Sequence, residues 1–230
     1  MALTNELHAQ VAAIFKETWT TRDGKVVPAP EDLKHSNDAV QFDRATVLYA
    51  DLSGSTALVD TRGWQFAAEI YKAYLYCAGR LIKSHDGVIT SYDGDRVMGV
   101  FIGDYQSTNA VKCALRINWA IHNVINPALK KQYDTDYVVR QVVGVDTSSI
   151  RAARTGVRGD NDIVWVGRAA NYAAKLTEIK SERRTWITKD VYDRMHESAR
   201  ISNGQNMWNS YRWDAHDNQT IYGSTWTWSL

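Results

Sequence analysis

Cysteine and proline are scarce in this sequence. The 230 residues include two cysteines, Cys77 and Cys113, and three prolines. The two cysteines lie far apart and lack the close spacing of a zinc site. Both fall in helical-looking segments, so the sequence predicts buried free thiols in a reducing compartment rather than a disulfide framework.

Long apolar runs are also missing. No stretch approaches the roughly 20 apolar residues that a membrane-spanning helix needs. Near the N-terminus, Glu6 and His8 occupy positions where a signal peptide needs an apolar block. We therefore expect a soluble, cytoplasmic protein.

Neither sign of charge dominates the chain. Lys and Arg number 27 against 26 Asp and Glu, which gives a net charge of +1. Without a basic field or a basic stripe, a nucleic-acid binder is a weak hypothesis. Hydrophobic residues make up 44% of the sequence. This content suits one large domain, or a domain with appendages, around a sizeable core.

The patterns along the chain predict an α+β fold. An amphipathic helix over residues 3–19 and a proline-containing arm precede a β-αα-β-β-α-β order of elements. That order is typical of a ferredoxin-like antiparallel sheet flanked by helices. Residues 136–156 are predicted to form two strands. We divide the chain into a helix and arm (1–41), a central domain (42–200) and a Trp-rich C-terminal strand extension packed on it (201–230).

Two aspartates end up at turns of this predicted fold. Asp51 ends the strand "ATVLYAD", and Asp95 follows the turn in "YDGD", a hairpin signal. If the hairpin lies beside the first strand, the two carboxylates meet. Mg²⁺ takes one or two protein carboxylates together with substrate phosphates. The turn Ser53, Gly54, Ser55 and Thr56 then leads into a helix, whose start is suited to an anion.

Each aspartate also has a purely structural interpretation. Asp51, Ser53 or Ser55 could be a helix N-cap, because short oxygen-bearing side chains satisfy the first helical N–H groups. Asp95 could be an ordinary turn residue, since Asp and Gly are common in turns. Only the pair together favours a metal site.

Five stretches, taken in order, resemble the catalytic domain of the class III nucleotidyl cyclases. They are "VLYADLSGSTALV", "YDGDRVMGVF", "GVDTSSI", "WVGRAANYAAKL" and "RTWITKDV". The resemblance covers about residues 42–195. Each stretch is weak alone, but the ordered set is quite specific, and it implies the ferredoxin-like class III cyclase fold.

The resemblance implies a set of roles for residues of this chain. In the family two Mg²⁺ or Mn²⁺ ions are held by two aspartates, here Asp51 and Asp95, and by the carbonyl after the first, here Leu52. The ribose 3′-hydroxyl attacks the α-phosphate of a nucleoside triphosphate, and pyrophosphate leaves. This in-line transfer depends on positioning and charge stabilisation. Arg184 matches a basic position that binds the triphosphate.

The family's remaining catalytic pair comes from the other subunit of a dimer. An asparagine orients the ribose and an arginine four residues later stabilises the transition state. Here these positions are Asn171 and Lys175, on one helix face. The lysine departs from the pattern and lacks the planar fork of arginine. Either a point charge suffices or another arginine, such as Arg168, serves. The resemblance implies a homodimer with two shared active sites.

The residues that read a purine in the family are absent here. By alignment their positions are Ser91 and Val164, and neither offers the expected lysine, glutamate or aspartate. Tyr49 instead faces the same side of its strand as Asp51, and Arg96 follows Asp95. These two side chains could fill the volume of a purine's second ring and donate to a pyrimidine O2 or O4.

The pairing of Tyr49 with Arg96 resembles the pyrimidine cyclases of the Pycsar antiphage systems, whose cyclic nucleotide activates a separate effector protein. It implies a uridylate cyclase that converts UTP to cUMP, with CTP as a second choice. Tyr49 could also be a core aromatic and Arg96 a surface ion-pair residue. An adenylyl cyclase with an altered base pocket and a non-catalytic nucleotide sensor, which Lys175 favours, stay open as alternatives.

Overall fold

A computed structural model describes residues 2–230. Seven α-helices are α1 (Ala2–Lys16), α2 (Ser55–Arg62), α3 (Trp64–Ser84), α4 (Gln106–Ala120), α5 (Asn126–Tyr133), α6 (Arg168–Leu176) and α7 (Lys189–Arg194). The strands are β1 (Thr20–Asp23), β2 (Asp38–Leu52), β3 (Val88–Asp93), β4 (Arg96–Phe101), β5 (Gln141–Val157), β6 (Asp160–Val166), β7 (Thr185–Thr188), β8 (Ile201–Ser202), β9 (Gln205–Asn206), β10 (Asn209–Trp213) and β11 (Gln219–Ser224). The mixed α+β class predicted from the sequence is confirmed.

The chain forms two compact units. The smaller unit comprises the described part of Met1–Asp43 together with Ser149–Gly167, and the larger comprises Arg44–Ser148 and Arg168–Leu230. These units differ from the predicted division, because residues 149–167 group with the N-terminal arm. The predicted boundaries at residues 41 and 200 stay a prediction.

In the smaller unit, β1 pairs with the start of β2 in parallel and β6 pairs with the end of β5. Helix α1 confirms the predicted N-terminal helix, yet none of its residues is buried. Its C-terminal end is held by Asn37, whose amide donates to the carbonyl oxygens of Ile14 at 2.9 Å and Glu17 at 2.7 Å. These bonds satisfy carbonyl groups that the end of a helix leaves without partners.

The larger unit contains an antiparallel-dominated sheet. Its strand order is β10-β11-β7-β5-β2-β4-β3. The β5–β7 pair in this path is parallel, with Val143 opposite Thr185, whereas the β2–β4, β3–β4, β7–β11 and β10–β11 pairs are antiparallel. Strand β2 lies beside the β3–β4 hairpin, as the predicted metal site required. The hairpin closes through Gly94 and Asp95, and Gly94 has φ +60°, a backbone conformation that glycine adopts at little cost.

Helices α3 and α4 pack on this sheet over a large apolar core. Helices α2 and α3 are separated at Gly63, which follows the last residue of α2, Arg62, and has φ +81°. A π-helical segment, Ile121–Ile125, lies between α4 and α5. Within residues 2–230, no helix is both long and apolar enough to cross a membrane.

The prediction of two strands within residues 136–156 was wrong. A single strand, β5, runs from Gln141 to Val157. The polar stretch that looks like a turn is buried and satisfied instead. Thr147 donates to the carbonyl of Ala45 at 3.2 Å, and Asp146 accepts hydrogen bonds from Arg168 and Thr188. Because these side chains have partners, the strand continues through them.

The C-terminal segment covers the core of the larger unit. Trp208 and Trp213 are buried, with 4% and 6% of their surface exposed. Trp226 and Trp228 pack partly buried against the main core, and the Asn118 amide donates to the carbonyl of Trp226 at 2.9 Å. The predicted packing role of these tryptophans is therefore confirmed.

Candidate active site

The site is built around the C-terminal end of β2. Leu48, Ala50 and Leu52 point into the core, so the alternating residues Tyr49 and Asp51 share the opposite, half-exposed face. Asp51 lies opposite Arg96 in the β2–β4 ladder. The Arg96 Nε atom is 3.4 Å from Asp51 Oδ1, which makes an ion pair in which Nε–H donates no hydrogen bond within standard geometry.

Asp95 occupies the second position of the adjacent two-residue turn. Its Oδ2 atom is buried and has no hydrogen-bond partner among the described residues. A carboxylate oxygen in an ordinary turn is solvated or accepts a backbone N–H. The buried, unpartnered oxygen therefore separates Asp95 from a plain turn residue.

The charges around Asp51 explain its titration. Burial raises the pKa of the Asp51 carboxyl most, the Arg96 guanidinium lowers it, and the negative charges of Asp95 and Glu178 raise it again. The net result is a pKa above the ordinary aspartate value. The two turn carboxylates are thus close enough to repel each other.

This donor set fits a hard divalent cation. Among residues 2–230, no group of three or more His, Cys, Asp or Glu is arranged to hold a metal on its own. Two carboxylates and the Leu52 carbonyl agree with a cation that also takes ligands from substrate phosphates. A cation here would relieve the repulsion between the carboxylates of Asp51 and Asp95.

The turn after Asp51 leads directly into α2. The N-cap of α2 is Gly54, with φ +79°, so neither Asp51 nor Ser53 nor Ser55 caps this helix. The Ser53 N–H donates to the carbonyl of Arg140 at 2.9 Å and is not free for a ligand. The N–H groups available to an anion are accordingly those after Ser53, from Gly54, Ser55 and Thr56.

A cavity of about 480 Å³ opens beside this turn. It is lined by Asp51, Leu52, Ser53 and Gly54, and also by Arg140 and Arg184. The structure thereby brings Arg184 to the same cavity as the turn after Asp51. Arg140 was missed, because it falls within residues 136–156, which were predicted as strands, and it matches none of the motifs that carry the resemblance.

Tyr49 and Arg96 border the same face of the sheet. Burial raises the pKa of the Tyr49 phenol; the Arg96 charge lowers it, and the Asp93 charge raises it. Tyr49 therefore lies within electrostatic range of Arg96 and stays a protonated donor at neutral pH. Ser91, half-buried on β3, lies opposite Met98, which is also the cross-strand partner of Tyr49.

Helix α6 carries Asn171 and Lys175. Its buried face consists of Ala169, Ala170, Ala173 and Leu176, whereas Asn171 and Lys175 are exposed. The helix packs closely on β5, since a Cβ on Gly144 would lie 2.1 Å from the Ala173 carbonyl oxygen. Neither Asn171 nor Lys175 lines the cavity beside Asp51 in the described chain.

Arg168, the other candidate cation, is fully engaged within its own unit. Its guanidinium donates to Asp146 Oδ2 at 3.0 Å, to the Thr147 carbonyl at 2.8 Å and to Asp190. It also lies 5.4 Å from the centroid of the Tyr172 ring. Asp146 is completely buried, so moving Arg168 would leave a buried carboxylate unpaired. Among residues 2–230, no hydrogen bond or ion pair engages the Lys175 ammonium group.

In the smaller unit, Val164 lies on β6 and is 42% exposed. It pairs with Ala153 across the ladder and offers no polar side-chain group. This position therefore provides no partner for the exocyclic amine of a purine.

Two solved structures of nucleotide cyclases have a similar fold. The guanylyl cyclase Cya2 matches with a TM-score of 0.67 and 16% identity, over 80% of this chain and 93% of that one. The adenylyl cyclase CyaB from P. aeruginosa matches with a TM-score of 0.65 and 16% identity, over 81% and 95%. The fold is that of the class III nucleotidyl cyclase domains.

Curated relatives of this chain indicate which family of nucleotidyl cyclases it belongs to. A uridylate cyclase of Burkholderia cepacia is 50% identical over 100% of both chains. One of Xanthomonas perforans is 47% identical over the same share, and one of Rhodovulum sp. (strain MB263) is 37% identical over 98% of this chain and 97% of that protein. No family model matches the sequence. The chain belongs to the uridylate cyclase family of nucleotidyl cyclases.

Proposed function

We propose that the protein converts UTP to 3′,5′-cyclic UMP and pyrophosphate in a reaction that depends on two Mg²⁺ or Mn²⁺ ions. The observation that carries the proposal is the β2–β4 ladder, which places Asp51 opposite Arg96 and Tyr49 two residues away on the same face. A metal-binding carboxylate and two donors for a small base are thus combined on adjacent strands.

The chemistry divides among these residues. The ribose 3′-oxygen attacks the α-phosphorus, the bond from that phosphorus to the bridging oxygen breaks, and pyrophosphate leaves with the electron pair. Bound cations would supply charge neutralisation and activation of the attacking oxygen. Asp51, Asp95 and the Leu52 carbonyl hold them. Tyr49 and Arg96 donate to the uracil oxygens.

Asn171 and Lys175 act on a nucleotide bound to a second copy of the chain. They are exposed on α6 and do not line the cavity beside Asp51, which agrees with a contribution across a two-fold axis. Asn171 orients the ribose, and Lys175 provides a positive charge to the transition state. The active protein is accordingly a homodimer with two shared sites.

The decisive experiment is a product analysis. The purified protein is incubated with Mn²⁺ and each of UTP, CTP, ATP and GTP, and products are separated against cyclic nucleotide standards. We expect cUMP and pyrophosphate in equal amounts. A preference for CTP, ATP or GTP would overturn the base assignment. Binding of a nucleoside triphosphate without turnover would favour the non-catalytic sensor. The presence of lysine at position 175, where the family has arginine, is the feature that supports this alternative.

The shared site predicts complementation between inactive variants. Asp51→Asn and Asn171→Ala are each expected to be inactive alone, because each removes one half of both sites. Mixed dimers retain one intact site, so co-refolding or co-expression restores about a quarter of wild-type turnover at equal mixing. Turnover is measured against dimer content. A mixture of Asp51→Asn with Asp95→Asn is the matched control, since both changes affect the same half-site and restore nothing.

Arg140 predicts an effect confined to the phosphates. We expect Arg140→Ala to raise the KM for UTP and the inhibition constant for pyrophosphate by about tenfold or more, the usual cost of a lost charge-assisted hydrogen bond. The backbone carbonyl that holds Ser53 is unchanged in this variant. Arg80→Ala removes an exposed arginine elsewhere as the control. An unchanged affinity for pyrophosphate would contradict this role.

A diffusible product also supports a place in antiphage signalling. The family resemblance pairs such cyclases with a separate effector protein that the cyclic nucleotide activates. We propose cUMP as that second messenger. Cells that express the inactive Asp51→Asn variant in place of the wild-type protein are expected to lose protection against phage. Protection that survives this replacement would refute the proposal.

A further inference from the structure

Tyr74 presents a buried hydroxyl without a partner. It lies on α3 with 0% of its surface exposed, in the apolar core that also contains Ala50, Leu52 and Val97. Its hydroxyl oxygen has no hydrogen-bond partner among the described residues. An unsatisfied buried hydroxyl lowers the stability of a fold, and most buried polar groups are paired. Phenylalanine would fill the same volume without this cost.

The second unpartnered buried oxygen of interest belongs to Asp95. When the Asp95 carboxyl is ionised, its Oδ2 atom can accept hydrogen bonds but cannot donate them, whereas a phenol can donate one. The two groups are therefore chemically complementary. Both belong to the larger unit, and the carboxylates of Asp51 and Asp95 lie within electrostatic range of the Tyr74 ring.

Tyr74 keeps its proton in this setting. Burial raises the pKa of its phenol well above the usual value, and the negative charges of Asp51 and Asp95 raise it further. The hydroxyl is consequently protonated at neutral pH and can donate a hydrogen bond.

We infer that Tyr74 is a positioning residue of the metal site, whose hydroxyl donates to the Asp95 carboxylate when a divalent cation binds. The inference rests on the proposed metal-dependent function. Carboxylates that ligate metals are oriented by hydrogen bonds from outer partners, and losing such a partner weakens metal affinity. A donor beneath Asp95 would fix one oxygen and direct the other toward the cation.

The test compares two properties of full-length Tyr74→Phe. Mn²⁺ binding is titrated by the electron paramagnetic resonance of the free ion, with and without a non-cyclisable UTP analogue. We expect the Mn²⁺ dissociation constant to rise about tenfold. The cation-free variant is expected to melt about 2–4 °C higher than wild type, because an unsatisfied hydroxyl has been removed.

The opposite directions of these two effects identify the role. A purely structural tyrosine would change the melting temperature and leave Mn²⁺ affinity alone, which would overturn the inference. Tyr76→Phe is the matched control, since it removes an exposed hydroxyl from the same helix. A loss of both stability and affinity would also count against it.

The result is separable from the proposed function. If wild-type protein binds Mn²⁺ and Tyr74→Phe binds it tenfold more weakly, the inference stands even where no cUMP is formed. If wild-type protein fails to bind Mn²⁺ with or without the nucleotide analogue, the inference falls with the metal site. If wild-type protein forms cUMP and Tyr74→Phe leaves the Mn²⁺ affinity unchanged, the inference about Tyr74 is wrong and the proposed function stands.

Discussion

Asp51→Asn and Asp95→Asn are each expected to lower the kcat/KM for UTP by at least about 10³-fold, the scale of losing a transition-state electrostatic contact. Asparagine keeps the shape of each side chain but removes the charge that a divalent cation needs. The measurement is cUMP formation at saturating Mn²⁺, together with Mn²⁺ affinity. Both should fall together, because the same carboxylates hold the ion.

The folded state should survive the Asp51 change. The pKa of Asp51 is raised in the folded protein, so keeping this carboxyl ionised at neutral pH lowers the free energy of unfolding. This cost disappears as the pH falls through the raised pKa and the carboxyl takes up a proton. Cation-free Asp51→Asn is therefore expected to melt at the wild-type temperature or above it. Asp104→Asn, an exposed aspartate beyond the other end of β4, is the control. Full turnover in either site variant would reject the metal site.

Tyr49→Ala is expected to reduce the preference for UTP over ATP, measured as the ratio of the two kcat/KM values, by about 10- to 100-fold. Removing the ring opens space at the base pocket and deletes a donor to the uracil oxygen. The ratio is measured with both nucleotides competing in one reaction, so that differences in active protein cancel. Arg96 is less suitable for this test, because its guanidinium also pairs with Asp51.

Tyr49→Phe separates volume from hydrogen bonding. The ring stays, so the exclusion of ATP should persist, whereas the loss of the hydroxyl should raise the KM for UTP by about tenfold. If Tyr49→Ala left the UTP to ATP ratio unchanged, Tyr49 would be an ordinary core aromatic. If Tyr49→Phe behaved like Tyr49→Ala, the hydroxyl rather than the ring would exclude purines.

Local sequence signals were sufficient to place Asp51 and Asp95, the two carboxylates of the proposed metal site, on neighbouring strands. The strand ending in Asp51 and the two-residue turn that contains Asp95 each have a strong local pattern. Antiparallel pairing of β2 with β4 then brings the two together, because the register is set by alternation of buried residues. The phosphate turn and Arg184 follow from the same geometry.

Other parts of the site have no local signal. Arg140 is distant in sequence from Asp51 and approaches it through a backbone hydrogen bond. Tyr74 has the spacing of a core residue, and only its lack of a partner distinguishes it. The polar residues of β5 looked like a turn because their partners, including Arg168, come from later elements. A pattern over a short stretch of sequence does not reveal the hydrogen bonds that buried polar groups make to residues distant in the chain.

Asn171 and Lys175 illustrate a different limit. Their helix is set by small residues that pack on β5, which a run of alanines indicates. Their proposed role depends on a second chain, so the contacts of a single chain neither place a ligand beside them nor exclude one. The roles of both residues, and the homodimer itself, stay predictions.

The shared face of Tyr49 and Asp51 has an evolutionary consequence. Two residues along a strand are separated by about 6.8 Å, and cross-strand hydrogen bonds to β4 hold that spacing. In the proposed site, the distance between the cation at Asp51 and the base contact at Tyr49 is therefore set by the strand backbone, with no loop to lengthen or hinge to open. With the proposed roles, a related protein can acquire a new base specificity only by substitution of side chains at these fixed strand positions. We therefore expect substrate choice to change in discrete steps during evolution while the metal ligands are retained.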